Sequence, residues 1–126
     1  MVKYGESWRR MVGKYIPKQG DIILVNFDPS LGHEQKDQRP ALVVSANLLS
    51  KTSPFTWVVP ISNGKWNYPT HVVLDDRTKT SGQLFVEQLM TIDYRVRPLK
   101  YLEKIPNDIL DTVLNTIHEL TKKVNE

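Results

Sequence analysis

Cysteine is absent from this chain. That excludes a disulfide framework, a thiolate metal site and a cysteine nucleophile. No apolar run approaches the roughly 20 residues that a membrane-crossing helix needs. The N-terminus also lacks the apolar core of a secretory signal, so a cytoplasmic protein without membrane contact is expected. The histidines, His33, His71 and His118, lie far apart and form no ligand-spaced H-x-x-x-H motif, so neither a metal nor another cofactor is expected. A P-loop, a dinucleotide-binding glycine pattern and a G-x-S-x-G elbow are all missing. Internal repeats and low-complexity segments are missing too.

An excess of one charge is scarcer than the totals suggest. The net charge is +3 over 126 residues. Residues 1–18 hold Lys3, Arg9, Arg10, Lys14 and Lys18 against Glu6 alone, whereas the other 108 residues hold 12 basic and 13 acidic groups. The basic character belongs to an N-terminal appendage, and it argues little about the main body. Any nucleic-acid reading must rest on local residues.

What is present fits one domain of ordinary composition, with 40% hydrophobic and 25% charged residues arguing against disorder. Tyr4, Trp8, Met11, Val12 and Tyr15 recur at helical spacing, with Arg9, Arg10 and Lys14 on the other side, so a short amphipathic helix is predicted within an extension of residues 1–17. Packing on the domain or across a dimer is its ordinary role; membrane-surface or RNA contact is the alternative. Residues 18–126 then form the main domain. Strands are predicted at Asp21 to Phe27, Ala41 to Ser45, Thr56 to Ile61, His71 to Leu74, Gly82 to Val86 and near Leu89 to Ile92. Strands this short with short polar links suggest a small barrel. Pro60 requires the third strand to be bulged or at an edge there, just ahead of Ser62. Pro106 suits a first helical position, and Ile109, Leu110, Val113, Leu114, Ile117 and Leu120 form a stripe that should pack on the barrel wall.

The most distinctive segment is His33-Glu34-Gln35-Lys36-Asp37-Gln38-Arg39-Pro40, a polar loop abutting the apolar run Ala41-Leu42-Val43-Val44. Pro40 pushes Arg39 towards an extended conformation, so the guanidinium should hang from the rigid edge of a sheet. A permanently charged fork held that way suits a phosphate. The ordinary reading of an Arg-Pro here is a surface ion pair of little worth. Asp75-Asp76, ahead of Arg77 and Lys79, reads as a solvated turn.

With metal and nucleophile motifs absent, phosphodiester chemistry on RNA remains open, because the ribose 2′-hydroxyl is itself a nucleophile. The protein must align in-line attack, neutralise charge on the phosphate and help protons move. Arg39 and Ser62 fit the phosphate roles, with His33, Glu34 and Glu87 as candidates for proton handling or base contacts. Lys65 and Trp66-Asn67-Tyr68 follow Ser62 in a polar connection, part of which could line the same groove. Stacking on bases and ordinary structural anchoring are both open for Trp57, Trp66 and Tyr68.

Several segments in order carry a resemblance. Gly20-Asp21-Ile22-x-x-Val25-x-Phe27-Asp28-Pro29 leads to Gly32-His33-Glu34-Gln35, then Arg39-Pro40-Ala41-Leu42-Val43-Val44-Ser45, Val59-Pro60-Ile61-Ser62, Pro69-Thr70-His71-Val72 and Val86-Glu87-Gln88-Leu89-Met90-Thr91-Ile92-Asp93. The series resembles the MazF/PemK family of toxin endoribonucleases from bacterial toxin–antitoxin pairs, over about residues 18 to 121. The resemblance implies a mainly β, α+β fold: an SH3-like small barrel with a C-terminal helix, assembled as a homodimer. It implies sequence-specific, metal-independent cleavage of single-stranded mRNA to 2′,3′-cyclic phosphate and 5′-hydroxyl ends, which would arrest translation and growth. It further implies an antitoxin whose disordered tail covers the RNA groove.

Carried over by residue, the family's catalytic arginine matches Arg39 and its catalytic threonine matches Ser62. His33, Glu34 and Gln35 match the loop over the substrate, and Glu87-Gln88 match the acidic-Gln pair near the groove. Ser62 keeps the hydroxyl but lacks the methyl that restricts a threonine rotamer. Phe85 stands where one branch of the family has a second arginine. Two non-catalytic alternatives share the fold: an inhibitor of DNA gyrase acting through its C-terminal helix, and a degenerate nucleic-acid-binding barrel.

Overall fold

Neighbouring residues Ile22 and Ile23 point to opposite sides of one strand, and each finds its own buried cluster. That two-sided demand organises the protein. A computed structural model describes residues 15–27, 38–65 and 67–125. The strands are β1 (Asp21–Asn26), β2 (Gln38–Val43), β3 (Phe55–Ser62), β4 (His71–Val73), β5 (Gln83–Phe85), β6 (Met90–Asp93) and β7 (Leu99–Lys104). Helix α1 (Asn47–Thr52) links β2 to β3, a 3₁₀ turn (Val86–Gln88) links β5 to β6, and helix α2 (Asn107–Thr121) closes the chain.

All strand pairings are antiparallel, in the order β4-β5-β3-β2-β1-β7, with β6 also on β3. The sheet is open and barrel-like rather than fully closed. One cluster, with Ile22, Leu42, Val59, Ile61 and Leu84, is covered by Ile109 and Val113 of α2, with Leu110, Leu114 and Ile117 packed alongside. The other holds Ile23, Val25, Ala41, Val43, Val58 and Ile92, flanked by Phe27, Met90 and Leu99. Leu120, in the last turn of α2, remains 52% exposed and ends the apolar stripe one turn earlier than predicted.

Pro60 is neither at a bulge nor on a free edge. On one side it is aligned with Ala41 of β2. On the other, β3 pairs with β6 through Phe55–Val58 and with β5 through Ile61 and Ser62. The residue without an N–H therefore falls where one partner strand gives way to the next, and no ladder bond is lost.

Other boundaries shift for local reasons. β2 begins at Gln38 rather than Ala41, because β1 is long enough to pair with Arg39 through Val25 and with Gln38 through Asn26. Pro106 has φ −59° and ψ 141°, an extended conformation that makes it the residue before α2 rather than its first helical one. The predicted N-terminal helix lies outside the described residues over 1–14. Tyr15 and Ile16 are not helical. The Tyr15 hydroxyl donates to Asp21 Oδ2 at 2.6 Å, and Lys104 Nζ and the Lys18 N–H also reach this buried carboxylate, so residues 15–18 are tied to the ends of β1 and β7.

Candidate active-site groove

Arg39 lies one residue inside β2 and its side chain is exposed. Ala41↔Pro60, Leu42↔Val59 and Val43↔Val58 fix the alignment of β2 on β3. Extending that alignment by two residues sets Arg39 opposite Ser62, and opposed residues in an antiparallel pair share a face with Cα atoms about 4.5–5.5 Å apart. Both side chains line one groove of about 390 Å³. Its polar lining is Arg39, Ser62 and Gln88, and its apolar lining is Phe27, Pro60, Ile61, Phe85 and Met90. Among the described residues no carboxylate is ion-paired with Arg39 and no side chain hydrogen-bonds the Ser62 hydroxyl. A fork and a hydroxyl thus face the same space uncommitted.

Ser62 is held by its backbone. It is aligned with Gln83 of β5, and Gly82 just before that residue has φ +126°, a conformation that L side chains rarely adopt. A Cβ on Gly82 would stand 2.7 Å from the Ser62 carbonyl oxygen and 3.1 Å from Asn63 Oδ1. Glycine is what lets β5 approach the end of β3 closely.

Phe85, at the end of β5, puts an aromatic ring into the groove. Glu87 and Gln88 follow in the 3₁₀ turn, both exposed, with Val86 buried between them and Phe85. Gln88 lines the groove and Glu87 stands beside it. Glu87 Oε1 accepts from Thr70 Oγ1 at 2.6 Å, and Oε2 lies 2.9 Å from His71 Nε2. Partial burial pushes the Glu87 carboxyl up, but the Thr70 and His71 hydrogen bonds and its own backbone N–H outweigh this and hold it below the usual carboxylate range.

The remaining candidates divide. Lys65 is exposed in the connection after β3 and is not among the described residues lining the groove. His33, Glu34 and Gln35 lie outside the described residues. Tyr68 is 57% exposed and meets the His71 ring edge-on, and Trp57 is 48% exposed on β3 away from the groove lining. Phe27, Met90 and His71 contribute to the site or its support without having been singled out by the sequence. Their signal is weak: Phe27 and Met90 read only as strand residues, and His71 as the start of a strand and part of the Pro69-Thr70-His71-Val72 segment, with no role in a site.

Residues 18–121 match the family described as the PemK-like, MazF-like toxin of type II toxin–antitoxin systems. The chain belongs to this family. Endoribonuclease PemK of Escherichia coli is 34% identical over 128 aligned positions, covering 93% of this chain and 96% of that protein. Endoribonuclease toxin MazF of Escherichia coli strain K12 is 36% identical over 87 residues, covering 69% of this chain and 78% of that one. MazF of Deinococcus radiodurans superposes with a TM-score of 0.74 at 30% identity, over 85% of this chain and 97% of that structure. A MazE–MazF structure from the same organism reaches a TM-score of 0.76 at 24% identity and supports the fold alone. The mainly β architecture with a C-terminal helix is thus that of MazF structures.

Proposed function

We propose that this toxin is an endoribonuclease that cuts single-stranded mRNA at a short recognition sequence, leaving 2′,3′-cyclic phosphate and 5′-hydroxyl ends. The observation that carries the reading is that Arg39 and Ser62 line one groove, in keeping with the β2–β3 register extended by two residues. Relatives of similar length named as endoribonucleases support it.

The 2′-oxygen of the ribose attacks the adjacent phosphorus, and the bond from phosphorus to the 5′-oxygen breaks. Attack gives up the 2′-hydroxyl proton, and the departing 5′-oxygen gains one. Arg39 stabilises the charge on the pentavalent phosphate and supplies the second proton, while Ser62 donates to a non-bridging oxygen. Glu87 is a poor choice of base, since both its oxygens already accept hydrogen bonds and its affinity for a proton is lowered. Proton removal is assigned to His33 or Glu34. Phe27 and Phe85 offer faces for stacked bases, and Gln88 a polar edge for reading one. This route draws on no metal. The reading includes a second copy of the chain and an antitoxin whose disordered tail occupies the groove, in keeping with the MazE–MazF pairing of a structural relative at 26% identity.

Incubating the purified protein with a natural single-stranded transcript in EDTA tests the proposal. Fragments carrying cyclic phosphate and 5′-hydroxyl ends support it, and mapping the ends gives the recognised bases. Intact RNA with inhibition of DNA gyrase would move the protein to the non-catalytic class.

A further inference from the structure

Behind the groove one imidazole is almost completely enclosed. His71 opens β4, and its side chain is 2% exposed. Nδ1 lies 3.0 Å from Gln83 Oε1, and Nε2 lies 2.9 Å from Glu87 Oε2. The ring stacks flat on Phe85, with centroids 4.0 Å apart and planes 8° from parallel. Gln83 uses its amide nitrogen to donate to Asn67 Oδ1 at 3.0 Å, which leaves its oxygen towards the imidazole. Phe85 is met from another side by the backbone, since a Cβ on Gly64 would lie 3.1 Å from Phe85 Cζ.

We propose that His71 is a positioning residue of the groove, carried as an imidazolium that fixes the Phe85 ring and the Glu87 carboxylate on either side of Val86. Through them it sets where a nucleobase is stacked and read, so the inference rests on the RNA-cleaving reading above. Both ring nitrogens face acceptors, and only the doubly protonated ring has two donors to give. The ionised carboxylate of Glu87 offsets the cost of enclosing a cation, and Phe85 presents its π face to the same charge. With one face covered by His71, Phe85 is left to meet a base only by its groove-lining surface. Glu87, with each oxygen already accepting one bond, retains outward lone pairs that suit an exocyclic amino group. The Thr70 hydroxyl, at 2.6 Å from Oε1, holds the carboxylate from the other end.

The assignment turns on the Gln83 amide, since the opposite orientation would offer Nδ1 a donor. Nitrogen-15 spectra of the full chain with labelled imidazoles, at neutral pH, should show two ring N–H protons for His71. Glu87→Gln should reduce them to one. A single ring proton in the unaltered protein, or two that persist in Glu87→Gln, would overturn the imidazolium.

The second arm compares cleavage of a natural transcript by His71→Asn, Glu87→Gln and the double variant. His71→Asn should lower kcat/KM by about 10²-fold, the scale of a small misplacement of a positioned substrate. It should also spread the mapped cut sites, and the double variant should be no worse than the poorer single one. Unchanged rate and sites in a folded His71→Asn protein, or strictly additive losses, would overturn the inference while the nuclease reading stands. Should His71→Asn fail to fold, Thr70→Val approaches the same carboxylate from its other oxygen and must alter the cut sites. RNA left intact by the unaltered protein would overturn both readings.

Discussion

Arg39 and Ser62 are constrained in different ways, and their substitutions should separate accordingly. Arg39 is exposed and touches little of the core, so Arg39→Ala should leave the melting temperature nearly unchanged. It should lower cleavage by at least about 10²–10³-fold, the usual loss when one donor to a developing oxyanion is removed. Arg39→Lys keeps the charge but not the fork and should recover only part of the rate. Normal cleavage by Arg39→Ala would remove this residue from the chemistry. Ser62→Thr retains the hydroxyl and narrows its rotamers, so activity should hold or rise, whereas Ser62→Ala should lose it. Gly82→Ala strikes the same hydroxyl from behind. With φ at +126° and a Cβ 2.7 Å from the Ser62 carbonyl oxygen, the alanine must displace the end of β3. A loss of about 1–3 kcal/mol in denaturant unfolding, accompanied by reduced cleavage, is expected.

Single elements show which parts of the fold could be read in advance. β1 and β3 were legible because Ile22, Ile23, Val25, Val58, Val59 and Ile61 are buried and form dense apolar runs. β7 was not, because Leu99-Lys100-Tyr101-Leu102-Glu103-Lys104 is a mostly exposed end strand whose apolar residues do not alternate. α1 spans only 6 residues, too short to show a helical period. The extended backbone at Arg39 was foreseen from Pro40, but its place inside β2 and its nearness to Ser62 depend on pairings between segments that no local pattern reveals. His71 was undervalued for the same reason, as Gln83 and Glu87 lie 12 and 16 residues away. β5 is the element that joins groove to core: Leu84 is fully buried, while Gln83 and Phe85 serve His71 and the groove. Leu84→Ala should destabilise the protein by about 2–5 kcal/mol and weaken cleavage with it. A variant with full stability would show that this strand is not packed as described.

For the whole molecule, acid is the informative stress. Glu87 and Glu103 are each pushed up by partial burial and brought below the usual range by the hydrogen bonds they accept, from Thr70 and His71 and from Thr80 and Lys79 respectively. Asp75 and Asp108 are lowered by the Arg77 fork that bridges them. Each carboxylate binds its proton less readily folded than unfolded, so its contribution is complete above the unfolded values of roughly 4. That contribution is lost as pH falls through the lower folded values. Melting temperature should therefore decline below about pH 4.5, and a rise there would contradict these carboxylate contacts. Neighbouring strands also give the groove a fixed gauge. The backbone spacing of Arg39 from Ser62 follows from the β2–β3 register, carried two residues past Ala41↔Pro60. Side-chain exchange can retune the charge or the hydroxyl of such a site, but admitting a bulkier anion would require shifting β2 against β3 by whole residues. Descendants of this scaffold should accordingly diversify in the bases they recognise far sooner than in the bond they cut.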